Sequence, residues 1–365
     1  MASLPTELID LILERVYYNV DGTVDVQTLH AAARICRSWT APAQRLLFRR
    51  VSLLGSASTR LSSFSFGRLG EHIRVLEIGL GSQSSQCLDE AGLVELLHRT
   101  PRLYELTLQV ATGLHQLETT TTEALHRLAR PRDNADGQTE KVSPVRVRAL
   151  TLLSCGIQSP ILYQLLSIWP CVEFLYLGFE IAAPPPKYQP TFKLYQLSLA
   201  RTPRFYVLSW LLSSSIESLR ILNFRDVPGH EFDPILDRIG GQLRSLRLTH
   251  WNLRAASILK HCPNLEEFVV MQLSTVIKLA NLPQSLEHLH CRGYIFDEEP
   301  LGPVIEVVGG LPKLRIITCS KNASSGERFG ELENLCNSRG IELYLDATPF
   351  WMVSAVDPAS LAWIS

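Results

Sequence analysis

The chain has 365 residues, 46% of them hydrophobic and 19% charged, with a formal net charge of −1. That is enough polypeptide for roughly two domains with ordinary cores. A near-neutral balance supplies no long-range field towards nucleic acid or an acidic membrane, which excludes a general polyanion binder.

Eight cysteines, none in CxxC spacing, are too few for a disulfide scaffold. Cys155, Cys291 and Cys319 lie in apolar, strand-like runs, so free core thiols in a reducing compartment are expected. The opening "MASLPTELIDLILERV" carries Glu7 and Asp10 inside its apolar stretch and no basic leader, unlike a secretory signal. No run approaches the roughly 20 apolar residues of a membrane span. A cytoplasmic or nuclear protein is expected, and in that setting the Asn322-Ala-Ser324 sequon carries little weight.

The first predicted element is a helix entered through Pro5, with apolar residues Leu4, Leu8, Ile9, Leu11, Ile12 and Val16. A turn follows at Asp21-Gly22. The stretch "DVQTLHAAARICRSWTAPAQRLLFRRVSL" reads as one helix to about Trp39, broken near Pro42, then a short helix leading into strand-like "RRVSLL". Three short helices with this much apolar surface bury too little of it to stand alone. The surplus faces either a partner or the neighbouring part of the chain. Trp39 and Phe48 suit the second role, and the Leu4–Ile12 stripe suits the first.

From Ile73 onwards a Leu-x-x-Leu-x-Leu pattern recurs, with middle anchors Leu76, Leu106, Leu150, Leu175, Leu197, Leu219, Leu246, Phe268, Leu289 and Ile317. Consecutive anchors lie 30, 44, 25, 22, 22, 27, 22, 21 and 28 residues apart, mostly in or near the period of leucine-rich repeats. A last strand, "IELYL", begins at Ile341. Pro101, Pro170, Pro263 and Pro312 each stand five residues before an anchor, where an outer helix must stop and an inner strand begin. The segments before three of these prolines, "DEAGLVELLHRT", "PILYQLLSIW" and "AASILKHC", read as amphipathic helices. Such units cannot bury their apolar faces singly, so they stack into a solenoid with an inner curved parallel sheet and outer helices. A predicted helix at "HQLETTTTEALHRLA" precedes a polar insertion, about 131–144, that reads as a disordered loop. "APPPKYQP", from Ala183, reads as an extended connector replacing one outer helix. In the apolar tail, 347–365, Trp351 and Trp363 are candidate plugs for the last repeat.

Residues between anchors face the open side of such a sheet. That side would carry an aromatic and basic strip of Phe174, Tyr176, Arg220, Arg247, His288, His290 and Arg292. Arginine can clamp carboxylate or phosphate bidentately, so an acidic or phosphorylated protein segment is a candidate ligand, beside a merely solvated face. A metal at His288 and His290 is disfavoured because Cys291 alternates to the opposite side. There is no GxSxG, GxxxxGK[ST] or HExxH motif. "GLGS" at Gly79–Ser82 lacks a third glycine and reads as a turn. No catalytic constellation, cofactor or metal site is expected.

The N-terminal residues resemble the F-box, in the form common in large fungal families with repeat-containing tails. Leu4, Pro5, Glu7 and Leu8, then Ile12 and Leu29, the cluster Ile35, Cys36, Arg37 and Trp39, and finally Leu47 and Phe48 match its pattern position by position. The match spans roughly 3–50, and the stretch "YYNVDGTVDVQ" is longer than usual. The resemblance implies docking onto the Skp-family adaptor of a cullin-RING ubiquitin ligase, with Leu4, Leu8, Ile12 and Ile35 as buried anchors. The expected organisation is α/β: a helical F-box (1–50), a degenerate leucine-rich-repeat solenoid (51–346) and the tail. The expected function is recruitment of an unknown target protein for ubiquitylation, with neither nucleic acid nor membrane as partner. A free-standing leucine-rich-repeat scaffold or inhibitor is the alternative.

Overall fold

The computed structural model describes residues 4–19, 24–54, 67–81, 87–111, 113–130, 144–274, 277–279, 281–291 and 301–346. The chain divides into two compact units, Met1–Val172 and Glu173–Ser365. The polar insertion and the apolar tail, with Trp351 and Trp363, lie outside the described residues.

The first unit opens with three helices, α1 (Thr6–Arg15), α2 (Val26–Ala33) and α3 (Arg37–Leu47). In α1, Glu7 sits in the first turn and Arg15 in the last, each matching the helix dipole. Ile9, Leu13 and Tyr17 recur every fourth residue and pack with Leu29, Ala32, Ala43 and Leu46 into a small core. Asp25 caps α2, its Oδ1 accepting from Thr28 N–H at 2.9 Å.

The break expected near Pro42 falls instead at Arg34–Cys36, where Cys36 is fully extended (φ −165°, ψ 171°). The Thr40 hydroxyl donates to the carbonyl of Ala33, the last residue of α2, at 3.0 Å. This satisfies an orphan acceptor of α2 from within α3. Pro42 lies inside α3 and is buried, so its cost is one intrahelical hydrogen bond.

The strands of this unit are β1 (Arg50–Ser52), β2 (Val75–Leu80), β3 (Glu105–Val110) and β4 (Ala149–Ser154). They pair in parallel, in chain order, in the register Val51–Leu76–Leu106–Leu150. "RRVSLL" therefore supplies a first rung of the ladder. Between strands run α4 (Glu90–Arg99), α5 (Thr119–Ala129) and, after β4, α6 (Ile161–Ile168). Gly79 and Leu80 close β2, so "GLGS" is half strand; Gly81 (φ 150°) is the turn residue.

The second unit repeats the plan through β5 (Phe174–Leu177), β6 (Gln196–Leu199), β7 (Ile221–Phe224), β8 (Ser245–His250), β9 (Glu267–Gln272), β10 (His288–Cys291), β11 (Ile316–Ser320) and β12 (Glu342–Asp346). All pair in parallel with their sequence neighbours. The intervening helices are α7 (Phe205–Leu212), α8 (Asp233–Ile239), α9 (Leu253–Lys260), α10 (Leu301–Val308) and α11 (Phe329–Arg339). No helix stands between β5 and β6, where "APPPKYQP" runs. One strand and one helix per 20–30 residues is the layout of a leucine-rich repeat.

The register corrects one anchor. Leu197 pairs with Leu222, and Leu222 with Leu246; Leu219 is the first leucine of its repeat. "IESLRI" and "LRILNF" overlap and both satisfy the pattern, but Leu219 N–H donates to Ser215 O at 3.0 Å and ends a turn. The anchor spacings on either side become 25 and 24 residues, more even than 22 and 27.

Candidate functional site

Two surfaces stand out, one on each unit. The first is on the helices. With Ile9, Leu13 and Tyr17 turned into the core, α1 presents a second apolar stripe to solvent: Leu4, Leu8, Leu11, Ile12 and Val16. Exposure reaches 46% at Leu8, 56% at Leu11 and 62% at Ile35 in the α2–α3 turn. Val26, at the start of α2, is exposed as well. The polar flank of α1 faces α3, where Arg45 Nη2 lies 3.2 Å from Asp10 and 3.5 Å from Glu14. Thus α1 is apolar on two sides and polar on one, and among the described residues only one apolar side has a core packed against it. Burying each exposed aliphatic side chain would gain about 1.5–3 kcal/mol.

Of the residues matched to the partner motif, Leu4, Pro5, Glu7, Leu8, Ile12, Ile35, Cys36 and Arg37 are exposed. Leu29 is not available to a partner: it is fully buried in the helical core. Trp39 is half-buried against that core, which leaves both residues holding the helices together. Leu11, Val16 and Val26 join the surface; the first two were readable in sequence, Val16 four residues after Ile12 and Leu11 three after Leu8. The Cys36 thiol is exposed, and a hydrogen bond with the Ser38 hydroxyl at 3.0 Å pulls its pKa down.

The second is the face of β5–β12 opposite the core anchors, where Ser198, Arg247, Val269, His290 and Thr318 are all buried among their neighbours. Residues after each anchor form one row: Tyr176, Ser198, Asn223, Arg247, Val269, His290, Thr318 and Tyr344. Arg220 is absent from it. The corrected register puts Asn223 there, and the Arg220 guanidinium donates to the Glu217 and Leu219 carbonyls at 2.9 and 3.0 Å. Arg292 lies outside the described residues. Phe174 is buried, its ring 5.9 Å from that of Tyr195, and Tyr176 is half-buried.

The centre of this face is Glu267, which the sequence reading passed over. Its Oε2 accepts from Arg247 Nη2 at 3.1 Å and Nε at 3.3 Å, and from the Ser245 hydroxyl. Its Oε1 lies 3.4 Å from His288 Nδ1. Burial alone would raise the Glu267 pKa, but Arg247, with hydrogen bonds from His288 and Ser245, outweighs it and holds the carboxyl far below its ordinary value. His288 Nε2 meets Thr318 Oγ1 at 2.9 Å, and the His288 and His290 rings stack at 5.6 Å. Arg247 and His288 are therefore engaged by an internal acid, and the basic strip expected here becomes a self-neutralised network.

Thr318, His288 and Glu267 stand in the series hydroxyl–imidazole–carboxylate. The backbone on both sides of Thr318 is tied into the parallel ladder with β10 and β12. The arrangement orders a sheet face. Cys291 is buried with the core anchors, away from His290. Among the described residues no group of three or more His, Cys, Asp or Glu is placed to hold a metal, and no helix is long and apolar enough to cross a membrane.

No family model matches the sequence, and no curated protein matches it. Among solved structures the chain is similar to one described as the crystal structure of a TLR13–ssRNA13 complex, at 15% identity and a TM-score of 0.32. That likeness covers 76% of this chain and 40% of the other, so the chain spans about two fifths of that structure's length.

Proposed function

We propose that the protein is a non-enzymatic, cytoplasmic or nuclear substrate-recognition adaptor of a Skp-cullin-F-box type ubiquitin ligase. In this reading α1–α3 dock the Skp-family adaptor and the strand–helix repeats hold the protein to be ubiquitylated. The observation that carries it is the uncovered apolar stripe of Leu4, Leu8, Leu11, Ile12 and Val16 beside a complete core on the other side of the same helix. A helix apolar on two sides is half of a core shared with a second polypeptide. The F-box resemblance says which polypeptide: a small adaptor whose own helices interlock with these three.

A free-standing leucine-rich-repeat scaffold is the second reading, favoured by the closed core of Ile9, Leu13, Leu29 and Leu46, which lets the helices serve as an end cap. Capture of a purified Skp-family adaptor separates the two. The wild-type chain binds it and a Leu4→Asp/Leu8→Asp/Ile12→Asp variant does not under the first reading; neither binds under the second.

A further inference from the structure

The register of the first unit lines up a row of arginines that the function above does not use. Arg74 N–H donates to the Arg49 carbonyl, Tyr104 N–H to that of Arg74, and Arg148 N–H to that of Tyr104, each at 2.9 Å. These four residues thus hold one position in successive repeats, just before β1, β2, β3 and β4. Parallel strands about 4.8 Å apart make this a strip about 14 Å long. Arg102 joins it: Arg74 Nη1 donates to the carbonyls of Glu71, Arg102 and Ile73 at 2.9, 3.3 and 3.4 Å, which fixes the Arg74 guanidinium beside Arg102.

The charges in this strip are not balanced. Neighbouring Arg45 meets Asp10 and Glu14, and Arg50 meets Glu77. Among the described residues, Arg49, Arg74 and Arg102 have no carboxylate within ion-pair distance. Burial first, then the positive charges of Arg102, Arg49 and Arg45, lowers the pKa of Arg74. Arg49 and Arg102 are exposed and Arg74 half-buried. Two arginines of the row are braced on aromatic rings, Arg49 over Tyr17 at 5.6 Å and Arg148 over Tyr104 at 5.7 Å. Like charges held together by a rigid ladder, in a chain of net charge −1, form a local anion-seeking feature.

We propose that Arg49, Arg74 and Arg102 form a docking strip for a short acidic segment of the target protein, gripping its carboxylates or phosphates. This rests on the adaptor reading and names the class of target it recruits. From Arg49 to Arg102 the strip crosses two strand spacings, about 10 Å, which spans about three extended residues. The planar guanidinium takes either anion through paired hydrogen bonds. A nucleic acid fits less well: a protein making about 6–10 phosphate contacts is the usual electrostatic case, and this strip offers three cations without a carboxylate partner on a near-neutral molecule.

Fluorescence polarisation on the full chain tests this with four probes: a short Glu-rich peptide, a phosphoserine peptide, a neutral Gln-rich peptide and a single-stranded oligonucleotide. One or both anionic peptides bind and the neutral one does not, and which of the two binds tighter identifies carboxylate or phosphate. Arg49→Glu/Arg102→Glu weakens that binding by about tenfold or more. The milder Arg102→Gln weakens it by a smaller factor should the double variant fail to fold. Failure of both anionic peptides to bind, binding indifferent to these substitutions, or an oligonucleotide that outcompetes both peptides overturns the proposal. Skp-family adaptor capture by the same variants stays at the wild-type level. Peptide binding without any adaptor capture in the wild type would sink the ligase reading alone.

Discussion

Arg247 on β8 and Glu267 on β9 hold each other across the open face of the sheet, two guanidinium nitrogens lying 3.1 and 3.3 Å from one carboxylate oxygen. The Arg247 side chain is 9% exposed and that of Glu267 25%, so solvent screens the pair weakly. Ser245 and His288 complete the hydrogen bonding of the acid. A buried charge is tolerated because its partners are fixed in place by the strand register.

Removing the acid while keeping the base is therefore costly. Glu267→Gln leaves Arg247 buried without a counter-charge and should lower stability by about 3 kcal/mol. Replacing both with apolar residues, Arg247→Met/Glu267→Leu, should cost less than the single change. Thermal unfolding of the three proteins checks the ordering.

The same pair sets a dependence on pH. The folded carboxyl of Glu267 titrates well below its unfolded value of about 4.3. Its contribution is complete above that value and is lost as pH falls from about 5 towards the folded pKa. Urea midpoints measured down this range should fall more steeply for the wild type than for Glu267→Gln.

Gly240, at the end of α8, is required by close approach, since its φ of −63° suits any residue. A Cβ there would fall inside the His261 carbonyl, a backbone group with no freedom to swing aside. Gly240→Ala should destabilise by about 1–3 kcal/mol. Gly241→Ala, where nothing lies within 4 Å, is the control. The shift in Tm distinguishes them.

The two apolar sides of α1 should respond oppositely to mutation. Leu13→Ala opens a cavity among Ile9, Leu29 and Leu46 and should cost about 2–4 kcal/mol. Leu8→Asp, on the uncovered side, should leave stability within about 0.5 kcal/mol. Chemical denaturation of each variant reads the difference.

The ladder was legible because buried leucines recur at fixed offsets and prolines mark where helices must end. It slipped only at Leu219 and Leu222, where two frames satisfy one pattern and hydrogen bonding chooses between them. That slip moved Arg220 off the open face. The gap between α2 and α3 was hidden because Ile35 and Cys36 continue an apolar run, and the break depends on Cys36 being extended and on the Thr40 hydroxyl. Glu267 was missed since an acid beside an anchor reads as a solvated residue; its role follows from Arg247 and His288 arriving from neighbouring strands. In the helices the composition announced surplus apolar surface. Which stripe turns inward, with Leu29 and Trp39, was decided only by packing.

The account rests on the outward stripe of α1 being an interface. Isothermal titration of the full chain with a purified Skp-family adaptor tests it directly. Saturable binding with a negative heat-capacity change, abolished by Leu8→Asp/Ile12→Asp in a protein that remains folded, is the predicted result. No binding by the wild type, or equal binding by that variant, contradicts it.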